Sequence, residues 1–383
     1  MRIVCHIGLH KTATTYLQGR LFPSWRQPGF HYNPAPIGGR LRSLFLLAQE
    51  REKHPELFSA YKRQFFAELS AFAQAHPKTT LLLSYEKFSQ FDFRQNYQEN
   101  AGLLHELLPD AEILLFLRYQ PDWLFSLFKQ AVASGDYQDP FTLFGYRDGH
   151  FASPEYPWGD DGLLKIDALR ADWVMLIECY RALFGPQRLW VKFYEDFVAD
   201  PHRVGTEIGE MLGLQVPAVS EQERVNASMS PELCQGLDKV AKRLRAMGLS
   251  WLLHSSQKEY RRLLQRLRYK ESRLAYLLHT RPKLLTRSLQ WMPRLASTSS
   301  DGEAVKAQLA TIRPLLDNYY RDLNASLPGL LPGVNPPAIY TTEPQAGRNV
   351  GARDPGLGAA YTPPGGCTAP GCGRSDEPTE SPA

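Results

Sequence analysis

Cysteine is scarce and unpaired in pattern. The five cysteines, Cys5, Cys179, Cys234, Cys367 and Cys372, are odd in number and widely spread, which argues against a disulfide framework. Cys367 and Cys372 lie close together, yet no second pair or nearby histidine completes a zinc ligand set, so they read as tail thiols. Long apolar runs are also missing. Nothing approaches the roughly 20 residues of a membrane span, and the opening Met-Arg-Ile-Val-Cys-His-Ile lacks the apolar segment of a secretory signal. The expected location is therefore the cytoplasm, with association at a membrane surface left open. Charge of one sign is weak overall. A net charge of +4 does not by itself imply a nucleic-acid partner.

What is present is an ordinary globular composition, 43% hydrophobic over 383 residues. That length fits one large α/β domain with a helical insertion, and it also fits two domains. Short apolar runs at Arg2 to Ile7, Thr79 to Ser84, Glu112 to Leu117 and Arg188 to Tyr194 read as buried strands. Helical spacing follows or separates them: from Thr14, over 40–76, from Asn100 to Leu108, from Pro121 to about Ser134, from Ile166 to Phe184 and from Pro201 to Leu212. Residues 139–162, rich in Pro, Gly, Asp and aromatics, read as a long loop. Such alternation predicts a parallel central sheet flanked by helices, a three-layer α/β sandwich of P-loop-like type. In such sheets ligands sit beyond the C-terminal strand ends. Gly8, Glu86, Arg118 and Tyr194 all fall there.

The organisation expected along the chain is an α/β domain over 1–235, a basic helical insertion over 236–303, a helix over 304–332 that packs back on the domain, and a disordered Gly/Pro-rich tail over 333–383. Residues 236–300 hold fifteen Lys and Arg against three acidic residues, a net +12. Such a stretch is either a solvated helical face or a surface for an acidic partner, here an anionic membrane surface or an acidic glycan. In the tail, 18 of 51 residues are Gly or Pro.

The chemistry concentrates in Gly8-Leu9-His10-Lys11-Thr12-Ala13-Thr14-Thr15. A loop between a buried strand and a helix start presents free backbone N–H groups at the positive end of the helix dipole, and a lysine with hydroxyls there makes a phosphate-type anion site. The nucleotide-triphosphatase pattern G-x-x-x-x-G-K-[ST] fails, because His10 precedes Lys11 and Cys5 stands at the first glycine position. The run instead resembles the 5′-phosphosulfate loop of PAPS-dependent sulfotransferases, matching at Gly8, Lys11, Thr12, Thr14 and Thr15 and departing at Ala13, where that family commonly has glycine. A second match is an Arg at a strand end with a Ser eight residues on, here Arg118 and Ser126, which in that family hold a 3′-phosphate. Tyr194-Glu195-Asp196-Phe197 looks like a late strand-end stretch of the family, and the run containing Arg224, Asn226 and Ser228 looks like its nucleotide-covering segment. The resemblance covers roughly residues 2–230 and the helix near Tyr319 to Asn324.

What the resemblance implies is sulfuryl transfer from PAPS to a hydroxyl or amine of a carbohydrate, glycolipid or small alcohol, with 3′,5′-ADP as product and no metal. Lys11 stabilises charge on the bridging oxygen, the loop holds the 5′-phosphate, and Glu86, or else His10, acts as base. A P-loop small-molecule kinase and a non-catalytic binder of acidic surfaces remain the rival readings.

Overall fold

The computed structural model describes residues 1–48, 51–89, 97–133, 138–154, 164–215 and 301–341, all within one compact unit, Met1–Pro344. Arg224, Asn226, Ser228, the basic stretch 236–300 and the chain from 342 onward lie outside the described residues.

The strands are β1 (Arg2–His6), β2 (Phe30–Tyr32), β3 (Thr80–Ser84), β4 (Glu112–Leu117), β5 (Tyr146–Arg147), β6 (His150–Phe151) and β7 (Leu189–Phe193). Five of them form a parallel sheet in the order β2-β3-β1-β4-β7. β5 and β6 form a separate antiparallel hairpin. The expected parallel α/β sheet is thus present. Strand alternation sends successive side chains to opposite faces. Cys5, Leu81, Leu83, Ile113, Leu115 and Val191 enter one core. Val4, Leu82, Leu114 and Phe116 enter the other, under the helical run that follows the loop and under Pro201–Leu212. Full burial on both faces explains why these strands read as continuous apolar runs.

β1 lies at the centre, and the chain order reverses on either side of it, to β3 and to β4. The loop leaving β1 therefore emerges at a topological switch point, where an open α/β sheet leaves a crevice.

Several local boundaries differ from the sequence reading. β2 was not expected, since Phe-His-Tyr is too short to carry a period. The stretch 40–76 is two helices, Ile37–Ala48 and Pro55–Ala75, the second opening on a proline suited to the first helical position. The helix expected from Ile166 begins at Trp173, where the Asp172 carboxylate accepts from Met175 N at 3.0 Å as an N-cap. The loop 139–162 contains a short helix, Pro140–Leu143, as well as the hairpin. Order also continues past Gly333. Ala338–Thr341 is helical, and Tyr340 is fully buried with its ring against Tyr119 and Phe193.

The helix Asp301–Asn324 returns to the sheet domain and packs on Gln120–Ala133. Buried Gln120 and Asn324 exchange two amide hydrogen bonds of 2.7 and 3.0 Å. Arg313 reaches Asp122 at 2.6 Å.

The loop after β1 turns through two left-handed residues, Lys11 at φ 66° and Ala13 at φ 62°. Gly8 is required by close approach, because a Cβ there would lie 2.6 Å from Thr14 Cγ2 and 2.8 Å from His6 Nε2. At Ala13 a methyl is carried in a region that costs a non-glycine residue ~1–2 kcal/mol. Glycine relieves that strain and costs roughly 0.5–1 kcal/mol in chain entropy. Ala13→Gly is therefore expected to stabilise the protein by about 0.5–1 kcal/mol, read as a higher urea midpoint at unchanged slope. A lower midpoint would show that the turn at Ala13 carries no strain.

Candidate functional site

The site is built where the ends of β1, β3, β4 and β7 meet the loop. Thr12 is fully buried, and its hydroxyl donates to Leu9 O at 2.7 Å, closing the loop on itself. Trp123, from the helix after β4, donates Nε1–H to His10 O at 2.8 Å. Arg118 Nη1 donates to Lys11 O at 3.1 Å. Three side chains thus hold the carbonyls of three consecutive residues. The helical run that follows starts at Thr14–Tyr16, continues as a π-helical stretch Leu17–Leu21 and ends as Phe22–Ser24. Ala13, at its N-cap, supplies no side-chain cap. Tyr16 N and Leu17 N donate to Ala13 O at 2.9 and 3.0 Å, which leaves the N–H groups of Thr14 and Thr15 without an intrahelical acceptor.

From the β3 side comes Glu86. One of its oxygens accepts from Thr14 Oγ1 at 2.8 Å, and the other lies 3.2 Å from His10 Nδ1. Burial pushes the Glu86 carboxyl up, but the hydrogen bond and charge of His10, the Thr14 hydroxyl and the nearby Lys87 outweigh it and bring it to about 2. Glu86 is therefore firmly ionised. His10 is nearly buried. With a carboxylate on Nδ1, the proton of the neutral imidazole is held at that nitrogen, which makes Nε2 the basic atom.

Lys11 projects to solvent at the rim of the loop. Partial desolvation lowers its pKa, Glu86 opposes the shift and Arg118 reinforces it. Arg118 lies flat on Tyr194, with 4.4 Å from Cζ to the ring centroid. Its Nε is buried without a hydrogen-bond partner among the described residues. Its backbone is fixed on both sides: Trp173 Nε1 donates to Arg118 O at 2.7 Å, and Tyr119 N donates to Glu195 Oε1 at 2.9 Å. Glu195 also accepts from Tyr340 OH at 3.1 Å. Burial raises its pKa, and these hydrogen bonds and Arg118 oppose the rise.

The structure thus brings together Gly8, His10, Lys11, Thr12, Ala13, Thr14, Glu86 and Arg118. Thr15 is exposed on the first helical turn. Thr12 and Thr14 spend their hydroxyl protons on protein acceptors, so what they present to a ligand is backbone. Ser126 sits on the helix after β4, and its hydroxyl donates to Trp123 O at 2.7 Å within that helix. Arg224, Asn226 and Ser228 lie outside the described residues.

The supports for the loop were not read from sequence. They include His6, whose Nδ1 shares a 2.7 Å hydrogen bond with Ser84 Oγ, while Gln18 donates to the same oxygen at 3.0 Å. Burial drives the His6 pKa down to about 3 against the pull of Glu86, so the ring is neutral. Trp123 and Trp173 carry no motif that marks them as supports, and Glu195 falls in the Tyr194–Phe197 stretch without a role that the stretch assigns. Their positions, two or six residues after a strand end or at a helix start, are the available signal.

Among the described residues, no three His, Cys, Asp or Glu side chains are arranged to hold a metal, and no helix is long and apolar enough to cross a membrane.

No protein-family model matches the chain, and no curated protein matches it. Among solved structures, the chain is similar to a sulfotransferase from Alicyclobacillus acidocaldarius, at 18% identity over 64% of this chain and 96% of that one, with a TM-score of 0.36.

Proposed function

We propose that the chain is a sulfotransferase that moves a sulfuryl group from PAPS to a hydroxyl or amine of an acceptor, a carbohydrate, glycolipid or small alcohol. The observation that carries the reading is the pairing of two cationic groups across one loop. Lys11 stands at the rim of the β1 loop, and Arg118, clamped to the Lys11 carbonyl and laid on Tyr194, keeps a buried Nε with no partner among the described residues. A donor with a 5′-phosphosulfate and a separate 3′-phosphate asks for two anion sites of this kind. The triphosphate pattern of kinases asks for the glycines that this loop replaces with Cys5 and His10.

In this reading the loop N–H groups and the helix start hold the 5′-phosphate, and Arg118 holds the 3′-phosphate with Ser126 beside it. For Ser126 to take part, its hydroxyl must turn from Trp123 O. Arg224, Asn226 and Ser228 are assigned to the cover over the nucleotide. The acceptor oxygen forms a bond to sulfur as the bond from sulfur to the bridging phosphate oxygen breaks, and 3′,5′-ADP leaves. Lys11 stabilises the charge that gathers on that bridging oxygen.

The acceptor proton goes to the His10–Glu86 pair. A carboxylate pulled down to about 2 is a feeble base. Imidazole is the side chain suited to proton transfer near neutrality. We therefore assign the proton to His10, with Glu86 holding the ring, its tautomer and the charge that develops on it. This reverses the order of preference that the sequence suggests. The domain limits 1–235, 236–303, 304–332 and 333–383 are kept with one change, an ordered C-terminal segment through Thr341. The basic stretch 236–300 is assigned to an anionic membrane surface or acidic glycan.

Lys11→Ala is expected to abolish transfer from radiolabelled PAPS while the protein still melts cooperatively. 3′,5′-ADP should raise the melting temperature of the wild type and ATP with magnesium should not, since only a ligand of the native state shifts it. Unchanged turnover in Lys11→Ala, or a shift with ATP-magnesium alone, would overturn the assignment.

His10→Gln should lower kcat by ~10²–10⁴, the usual loss for a general base. Glu86→Gln should lower kcat by less, because the imidazole remains. The reverse order would make Glu86 the base.

A further inference from the structure

Two arginines sit over the rings of tyrosines that follow strand ends, those of β3 and β7, on either side of β1. Arg118 covers Tyr194, directly after β7, at 4.4 Å. Arg42, from the helix Ile37–Ala48, covers Tyr85, directly after β3, at 4.8 Å. Arg118 is committed to the loop through the Lys11 carbonyl. Arg42 has no such commitment. It is exposed, and among the described residues neither a carboxylate nor a carbonyl takes its N–H groups. Other arginines differ. Arg40, two residues earlier on the same helix, forms a 2.8 Å ion pair with Glu68, and Arg2, at the far end of β1, forms a two-point pair with Glu112.

A guanidinium stacked on a ring is fixed in plane, so its forked edge is oriented without being spent. Burial raises the pKa of the Tyr32 and Tyr85 hydroxyls, and the Arg42 charge opposes the rise at both. The cation is therefore within electrostatic reach of the ends of both β2 and β3. Tyr85 is followed directly by Glu86, the partner of His10. Consecutive Cα atoms are about 3.8 Å apart, so the residue whose ring Arg42 covers adjoins Glu86 at the end of β3.

We propose that Arg42 recognises the acceptor, by binding a carboxylate or sulfate that the acceptor already carries near the reacting hydroxyl or amine. The acceptor class is then anionic, an acidic sugar being the simplest case. Tyr85 is the platform that holds the guanidinium edge toward it. The inference rests on the sulfuryl-transfer reading.

The test begins with the full chain, radiolabelled PAPS and fractionated lysate. The labelled product is isolated and run on an anion exchanger at neutral pH beside a singly sulfated neutral sugar. Later elution than that reference is expected, because the acceptor carries an anion besides the transferred sulfuryl group. With that acceptor purified, Arg42→Ala should raise its KM about tenfold or more, with kcat within about threefold and the thermal shift with 3′,5′-ADP unchanged. Arg42→Lys should recover only part of the loss, because a point charge does not replace a planar fork. A neutral acceptor, or an unchanged KM in Arg42→Ala, overturns the proposal while transfer and the 3′,5′-ADP response stand. Absence of both transfer and the 3′,5′-ADP response removes the sulfuryl-transfer reading itself, and this inference with it.

Discussion

The site depends on the carboxylate of Glu86. One oxygen takes Thr14 from the start of the helix and the other faces His10 in the loop, so a single group from β3 sets the distance between strand end, loop and helix. The opposite wall is tied by Arg118 to the Lys11 carbonyl. Between these ties the backbone turns left-handed twice, at Lys11 and Ala13. A strained turn persists only where its surroundings over-determine it. Here they do so through Glu86, Arg118, the Trp123 indole on His10 O and the Thr12 hydroxyl on Leu9 O. The loop is thus shaped by protein contacts, and the arrival of an anion requires little reorganisation of its backbone, which is the condition for electrostatic stabilisation to be effective.

The charges are arranged with the same economy. Glu86 is spent on His10 and Thr14. Glu195 is spent on the Tyr119 amide and the Tyr340 hydroxyl. Neither neutralises Lys11 by direct contact, and Arg118 leans on a ring and a carbonyl. Carboxylates that anchor the frame thereby leave cations facing the crevice. Glu195 also explains why the last described helix matters so far from the loop in sequence: Tyr340 closes the hydrogen bonding of the carboxylate that fixes the backbone directly after Arg118.

Much of this was legible from residue pattern, and the failures have physical causes. β1, β3 and β4 are buried on both faces, so their apolar runs announce them, and β7 shows through its buried Val191 and Phe193. β2 has three residues and one open edge, too few for a period to show. The loop residues were legible because glycine, lysine and clustered threonines at a strand-to-helix junction have few other uses. Their partners were not, because contacts such as Trp173 with Arg118 O or Gln18 with Ser84 are long-range and no spacing encodes them. The late boundary of the tail has a similar origin: one buried tyrosine, Tyr340, outweighs a surrounding run rich in Gly and Pro.

The order of His10 and Glu86 shows how structure changes a chemical argument without changing the residues. From sequence, a Glu at a strand end facing the loop is a natural base. In place, the same Glu accepts two hydrogen bonds and sits beside an imidazole, and each of those contacts stabilises its charged form. What makes a carboxylate a good anchor makes it a poor proton acceptor, since both properties follow from the same stabilised charge. In the proposed reaction, occupation of Glu86 by Thr14 and His10 therefore assigns the acceptor proton to His10.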